Sequence, residues 1–131
     1  HMVWAAGGGR LDVPPGSTIE GPHSLQRLYE DNYLLFNNGT PGRGGCSRAV
    51  TVRIDPETHA VEVRQMFEPD PCLEVMFLGD ARVQADDSVR VAWSSEGRLE
   101  TFTSEGESRQ TLDLPVGHAF GFVEPVSLAR R

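Results

Sequence analysis

Lysine is missing from this 131-residue chain, whose twelve bases are all arginine. That excludes a Schiff-base lysine and the lysine of a phosphate-binding loop. Histidine is scarce too: the four are His1, His23, His59 and His118. With no CxxC or HExxH spacing among them, a metal centre is not expected. Two cysteines, Cys46 and Cys72, are too few for a disulfide scaffold, and the choice between one bridge and two separate thiols stays open. No apolar run approaches the roughly 20 residues of a membrane span. Bases are outnumbered by 19 acids, and a net charge of -7 argues against attraction to nucleic acid or to an anionic membrane. No window keeps a helical period for three turns. The opening His1-Met2 reads as a cloning scar, so a soluble chain is expected. The all-arginine usage suggests a GC-rich bacterial source.

What is present is strand and turn. Residues Asn32 to Asn37, Ala49 to Ile54, Ala60 to Phe67, Ser88 to Trp93 and Arg98 to Thr103 are short β-branched or aromatic runs. Several alternate, so Val50, Val52 and Ile54 share one face and Val89, Val91 and Trp93 another. Asp55-Pro56-Glu57-Thr58, Ala85-Asp86-Asp87, Ser95-Glu96-Gly97 and Ser104-Glu105-Gly106 supply turn chemistry between them, within 14 glycines and 9 prolines overall. Ser24 to Glu30, the one short helical candidate, reads better as a strand entering a hairpin. The expected core is Leu34, Phe36, Val50, Val52, Ile54, Val61, Val63, Val89, Val91, Trp93, Leu99 and Phe102. The prediction is an all-β fold with at least seven strands. A weak repeat lays Leu28 to Phe36 on Val83 to Val91 at an offset of 55. Such a spacing suits four-stranded antiparallel propeller blades, the alternative being a small closed β-sandwich or barrel.

Five segments also carry a resemblance. Gly21-Pro22-His23-Ser24, Glu30 to Gly39, Cys46 to Val50 with Ile54 to Thr58, and Phe77 to Ala81 with Ser94 to Arg98 are similar, in order, to motifs of the bacterial arylsulfotransferase family. Val3-Trp4 with Gly7-Gly8-Gly9 is similar to the strand that closes a preceding blade of that family. The family fold is a six-bladed β-propeller, so the resemblance implies its C-terminal blades only. It divides the chain, after residues 1–2, into one all-β domain over 3–131. Within it, 3–20 is a closing strand and linker, 21–69 a first blade, 70–115 a second blade and 116–131 a C-terminal strand segment. The ring would be completed by other copies, making a homo-oligomer, or by the remaining blades.

The resemblance also implies a chemistry. In the family a histidine takes a sulfuryl group from an aryl sulfate and passes it to a phenol without PAPS, while arginines hold the anion. Imidazole is nucleophilic near neutral pH, and guanidinium offers sulfate a fixed fork of donors. His23 falls on the family's histidine ahead of the strand. Arg43, Arg48, Asn38 and His118 are the candidate ligands for the sulfated or phenolic small molecule. The alternative is that His23 ends a strand and Arg43 is a solvated loop residue. Where the family's nucleophilic histidine ends the corresponding strand of the next blade, this chain carries Trp93-Ser94-Ser95, with no local base to activate Ser94. The second reading is therefore a non-catalytic scaffold or interaction module that assembles by oligomerisation. No cofactor is implied. A periplasmic or secreted location follows from the resemblance alone. Cys46 and Cys72 flank funnel-side motifs of the family, which implies that they lie close together. Two further matches carry little: Gly39 to Cys46 lacks the lysine of a phosphate loop, and Asn38-Gly39-Thr40 is a bare glycosylation sequon.

Overall fold

A computed structural model describes Ile19, residues 21–39, residues 45–115 and Ala119. Among the described residues there are eight strands: β1 (Pro22–Arg27), β2 (Asn32–Asn37), β3 (Arg48–Ile54), β4 (Val61–Phe67), β5 (Asp80–Val83), β6 (Val89–Trp93), β7 (Arg98–Phe102) and β8 (Ser108–Asp113). The helical content of the described residues is one 3-10 turn, Ser94–Glu96. The strands form two four-stranded antiparallel sheets, β1-β2-β3-β4 and β5-β6-β7-β8, each in sequence order. Neither sheet closes on itself, so the barrel alternative is wrong: each meander ends in two edge strands instead of returning to its first.

The turns form where side chains can replace backbone partners. Asp55 Oδ1 accepts the backbone N–H groups of Glu57 at 2.9 Å and Thr58 at 2.8 Å, and these bonds hold its carboxyl below the usual carboxylate range. Asp86 does the same for Ser88, accepting from its hydroxyl at 2.6 Å and its N–H at 3.2 Å.

Alternation sends two rows of side chains to each sheet face. Leu34, Phe36, Ala49 and Phe67 of the first sheet meet Val89, Val91, Trp93 and Phe102 of the second in one buried cluster. Aromatic pairs bind it, Phe36 and Trp93 tilted with ring centroids 5.5 Å apart and Phe67 and Phe102 edge-on at 5.8 Å. Leu35, Val50, Val52, Ile54 and Val61 form a second cluster with Ile19 on the other side of the first sheet. That sheet is buried on both faces, which is why Leu34-Leu35-Phe36 reads as a continuous apolar run without alternation. Of the twelve expected core positions, Val63 and Leu99 are half-buried and the rest are buried.

The hydrogen bonds closing the first hairpin of each sheet run from Leu28 N–H to the Asn32 carbonyl and from Gln84 N–H to the Ser88 carbonyl. Gln84 stands 56 residues after Leu28, so the structural repeat is one residue longer than the expected 55. At 55, Leu34 and Phe36 would match Val89 and Val91. Those four residues instead face each other across one interface.

Candidate functional site

Because each sheet is a meander, β1 and β5 start at the same end of the molecule where β2 and β6 finish. Among the described residues, that end carries His23, Asn38 and Arg48. His23 is exposed near the head of β1, paired across to Phe36 just before the register slips between His23 and Leu25. The slip falls on Ser24, which takes φ +50°, a left-handed conformation unusual outside glycine. It turns the Ser24 hydroxyl to donate to Asp80 Oδ1 on β5. Asp80 is buried and is also held by Arg82, whose Nε lies 3.2 Å from its carboxylate. Two residues further along β1, Gln26 Oε1 accepts the Val83 N–H at 3.0 Å. The two leading strands are thus tied side by side, which fixes His23 relative to the second sheet.

Arg48 opens β3 opposite Asn37, half-buried. It reaches Glu68 at 3.6 Å, while its Nε is shielded from water with no partner. A buried donor left unpaired is a free-energy penalty that an incoming anion would relieve. Asn38 is buried beside it and serves the scaffold. Its amide donates to the Val75 carbonyl at 2.9 Å, leaving Oδ1, an acceptor, as the atom without a partner. The Asn38 amide is thus engaged within the fold, where it orients the loop. Ser47 completes this clamp, donating to the Asn38 carbonyl and accepting the Val75 N–H, both at 2.7 Å. Cys46 and Cys72 form a disulfide with a Cα separation of 5.4 Å, which staples the end of the β2–β3 loop to the segment joining the sheets. Arg43 and His118 lie outside the described residues.

Ser94, at the position where the family resemblance would require a nucleophile, is fully buried, and its hydroxyl donates to the Ala92 carbonyl at 3.4 Å. It presents no free oxygen at the surface. Among the described residues no group of three His, Cys, Asp or Glu side chains could hold a metal ion, and no helix is long and apolar enough to cross a membrane.

Sequence reading missed Asp80 and its partners. Ser24 and Asp80 stand 56 residues apart and so occupy the same place in the two sheets, a correspondence that the 55-residue offset hides. Compared with known proteins, the chain matches no family model, no curated protein and no solved structure.

Proposed function

We propose that the two sheets are consecutive blades of a propeller-like array, and that the end carrying His23 binds a small anionic aromatic ligand, an aryl sulfate or a phenol. The observation that supports this most is that one end of the first sheet carries both an exposed imidazole, His23 on β1, and, two strands away on β3, a half-buried guanidinium, Arg48, whose Nε has no partner. Both belong to segments that resemble the arylsulfotransferase family. Arg48 supplies the charge that the anion needs, and His23 supplies a group able to accept or deliver a proton at the phenolic oxygen. Arg43 and His118 are proposed as further ligands from the resemblance alone.

Binding is favoured over sulfuryl transfer because the buried Ser94 offers no second reactive group. That burial equally favours the second reading, a non-catalytic scaffold whose ring is completed by other copies or further blades. Titration with 4-nitrophenyl sulfate separates the two. The ligand reading expects a shift of the His23 imidazole resonances on titration and its loss in Arg48→Met, with little nitrophenol released to a phenol acceptor. An unmoved His23 signal at millimolar ligand would refute binding. Turnover that survives His23→Ala would refute the role of His23.

A further inference from the structure

At the end of the second sheet opposite His23, a cleft of about 600 Å³ lies beside the turn between β5 and β6, with Gln84, Asp86, Arg90, Thr101, Arg109 and Gln110 among its walls. That volume is in the range of small-molecule sites. Arg90 on β6, Thr101 on β7 and Gln110 on β8 form one row across the strands. The first sheet carries the same frame as Leu34, Thr51 and Gln65. In both fourth strands the ladder skips the arginine just before the glutamine, Arg64 in β4 and Arg109 in β8, so each bulge sets a guanidinium at the end of the row. The first position is what differs. Leu34 is fully buried in the cluster between the sheets. Arg90, in its place, has an Nε shielded from water with no hydrogen-bond partner, and it makes no ion pair among the described residues. Its neighbours do: Arg82, opposite on β5, lies 3.2 Å from the Asp80 carboxylate, and Arg109 lies 3.8 Å from that of Asp86. A shielded donor without an acceptor destabilises the fold. Here it stands in the wall of a cleft, where a ligand can supply the acceptor.

We propose that this cleft binds a small polyhydroxylated carboxylate, a sugar acid, through Arg90. The guanidinium offers its Nε–H and a terminal N–H as a planar fork that matches the two oxygens of a carboxylate. Arg109 is in reach of the same cleft, and its 3.8 Å separation from Asp86 is longer than a hydrogen bond, so it can turn a donor to the ligand. Two guanidinium groups against the one carboxylate of Asp86 make this wall net positive in a chain of net charge -7. The remaining groups suit hydroxyls. Asp86 uses Oδ1 for Ser88 and keeps Oδ2 as an acceptor, while Thr101 and Gln110 can both donate and accept. Among the described residues no aromatic side chain lines the cleft, which sets its ligand apart from the aryl sulfate or phenol proposed for the His23 end.

Titrating the full chain with D-glucuronate, and following the Arg90 Nε–H resonance, tests this. The resonance should shift and saturate with glucuronate and stay in place with D-glucose, which lacks the carboxylate. An unmoved resonance at millimolar glucuronate overturns the proposal, and so does an equal response to glucose. Inorganic sulfate binding as tightly as glucuronate would show an adventitious ion only, and would overturn it as well. By calorimetry, Arg90→Met should weaken glucuronate by about tenfold or more, the scale of a hydrogen bond to a charged group. Arg64→Met, at the corresponding bulge of the first sheet, should leave the affinity unchanged; the reverse order of the two effects overturns the assignment. Because Arg90→Met removes a donor that has no partner in the fold, its urea midpoint should not fall. A fall would show that the protein itself holds this guanidinium, and would overturn the proposal.

Discussion

Gly79 lets the two sheets approach closely where β5 begins. It sits just ahead of β5 with φ +108°, where L side chains are strained, and a Cβ built there would lie 2.2 Å from Phe36 Cε1 and 2.3 Å from Cδ1. The ring is fully buried, with Trp93 behind it at 5.5 Å, so it has no room to retreat. Two penalties add in Gly79→Ala. The backbone conformation costs roughly 1–2 kcal/mol for a residue with a Cβ. Overpacking a close-packed interface costs roughly 1–3 kcal/mol more. Together they come to about 2–5 kcal/mol, a large part of the 5–15 kcal/mol that typically holds a domain together. Gly21→Ala is the control. Its φ is also left-handed, +57°, but the nearest atoms to an added Cβ are Asn38 Cβ at 3.5 Å and the Gly39 carbonyl at 3.7 Å, which is ordinary contact. It should lose only the backbone share, about 1–2 kcal/mol. Urea unfolding followed by circular dichroism measures both. Phe36→Leu should be markedly less harmful in the Gly79→Ala background than in the wild type, because shrinking the ring relieves the clash. If Gly79→Ala is no worse than Gly21→Ala, or if the two losses at Gly79 and Phe36 simply add, the close approach is not what sets the sheet spacing.

Two further outcomes follow from the same interface. Reducing the Cys46–Cys72 bond, which spans 26 residues, frees the unfolded chain and should lower stability by about 3 kcal/mol; equal urea midpoints with and without reductant would show that the bridge does not constrain unfolding. Glu100 is buried between the sheets, accepting from Trp93 Nε1 at 2.9 Å and from the Ser108 hydroxyl at 2.6 Å. Glu100→Ala strands the indole N–H and should destabilise by about 1–3 kcal/mol, well beyond Ser108→Ala, whose partner keeps a second donor; equal effects in urea unfolding would remove Trp93 from the network.

Strands whose side chains declare a face could be read from residue order. Asn32–Asn37 matches its run, while Ala49–Ile54 and Ala60–Phe67 differ from β3 and β4 by one residue at one end. β8 was not legible. Ser108–Asp113 is exposed at all six residues, so no apolar half marks it, and its pairing to β7 comes from the backbone alone. β5 is only four residues long, too short for a period to show. The polar partnerships were out of reach for a different reason. Ser24 with Asp80 and Asn38 with Val75 join residues far apart in sequence, and neither residue type announces a partner until the sheets are stacked.

The repeat shows why a single residue of offset decides what this molecule can do. Side chains alternate with a period of two, so a shift of one exchanges every core residue of a strand for a surface one. At 55, the two sheets share an apolar row, and the second should bury the same face as the first. At 56, Phe36 corresponds to Ala92 and Leu34 to Arg90, so the face by which the first sheet docks has a counterpart in the second with a smaller apolar row and a cation. The same correction puts Ser24 in register with Asp80, the contact that ties the leading strands at the His23 end. One register therefore governs both faces of the second sheet. On one side it ties β1 to β5 beside His23, and on the other it leaves the second sheet with the row Ala92, Leu99 and Leu112, whose last residue is exposed.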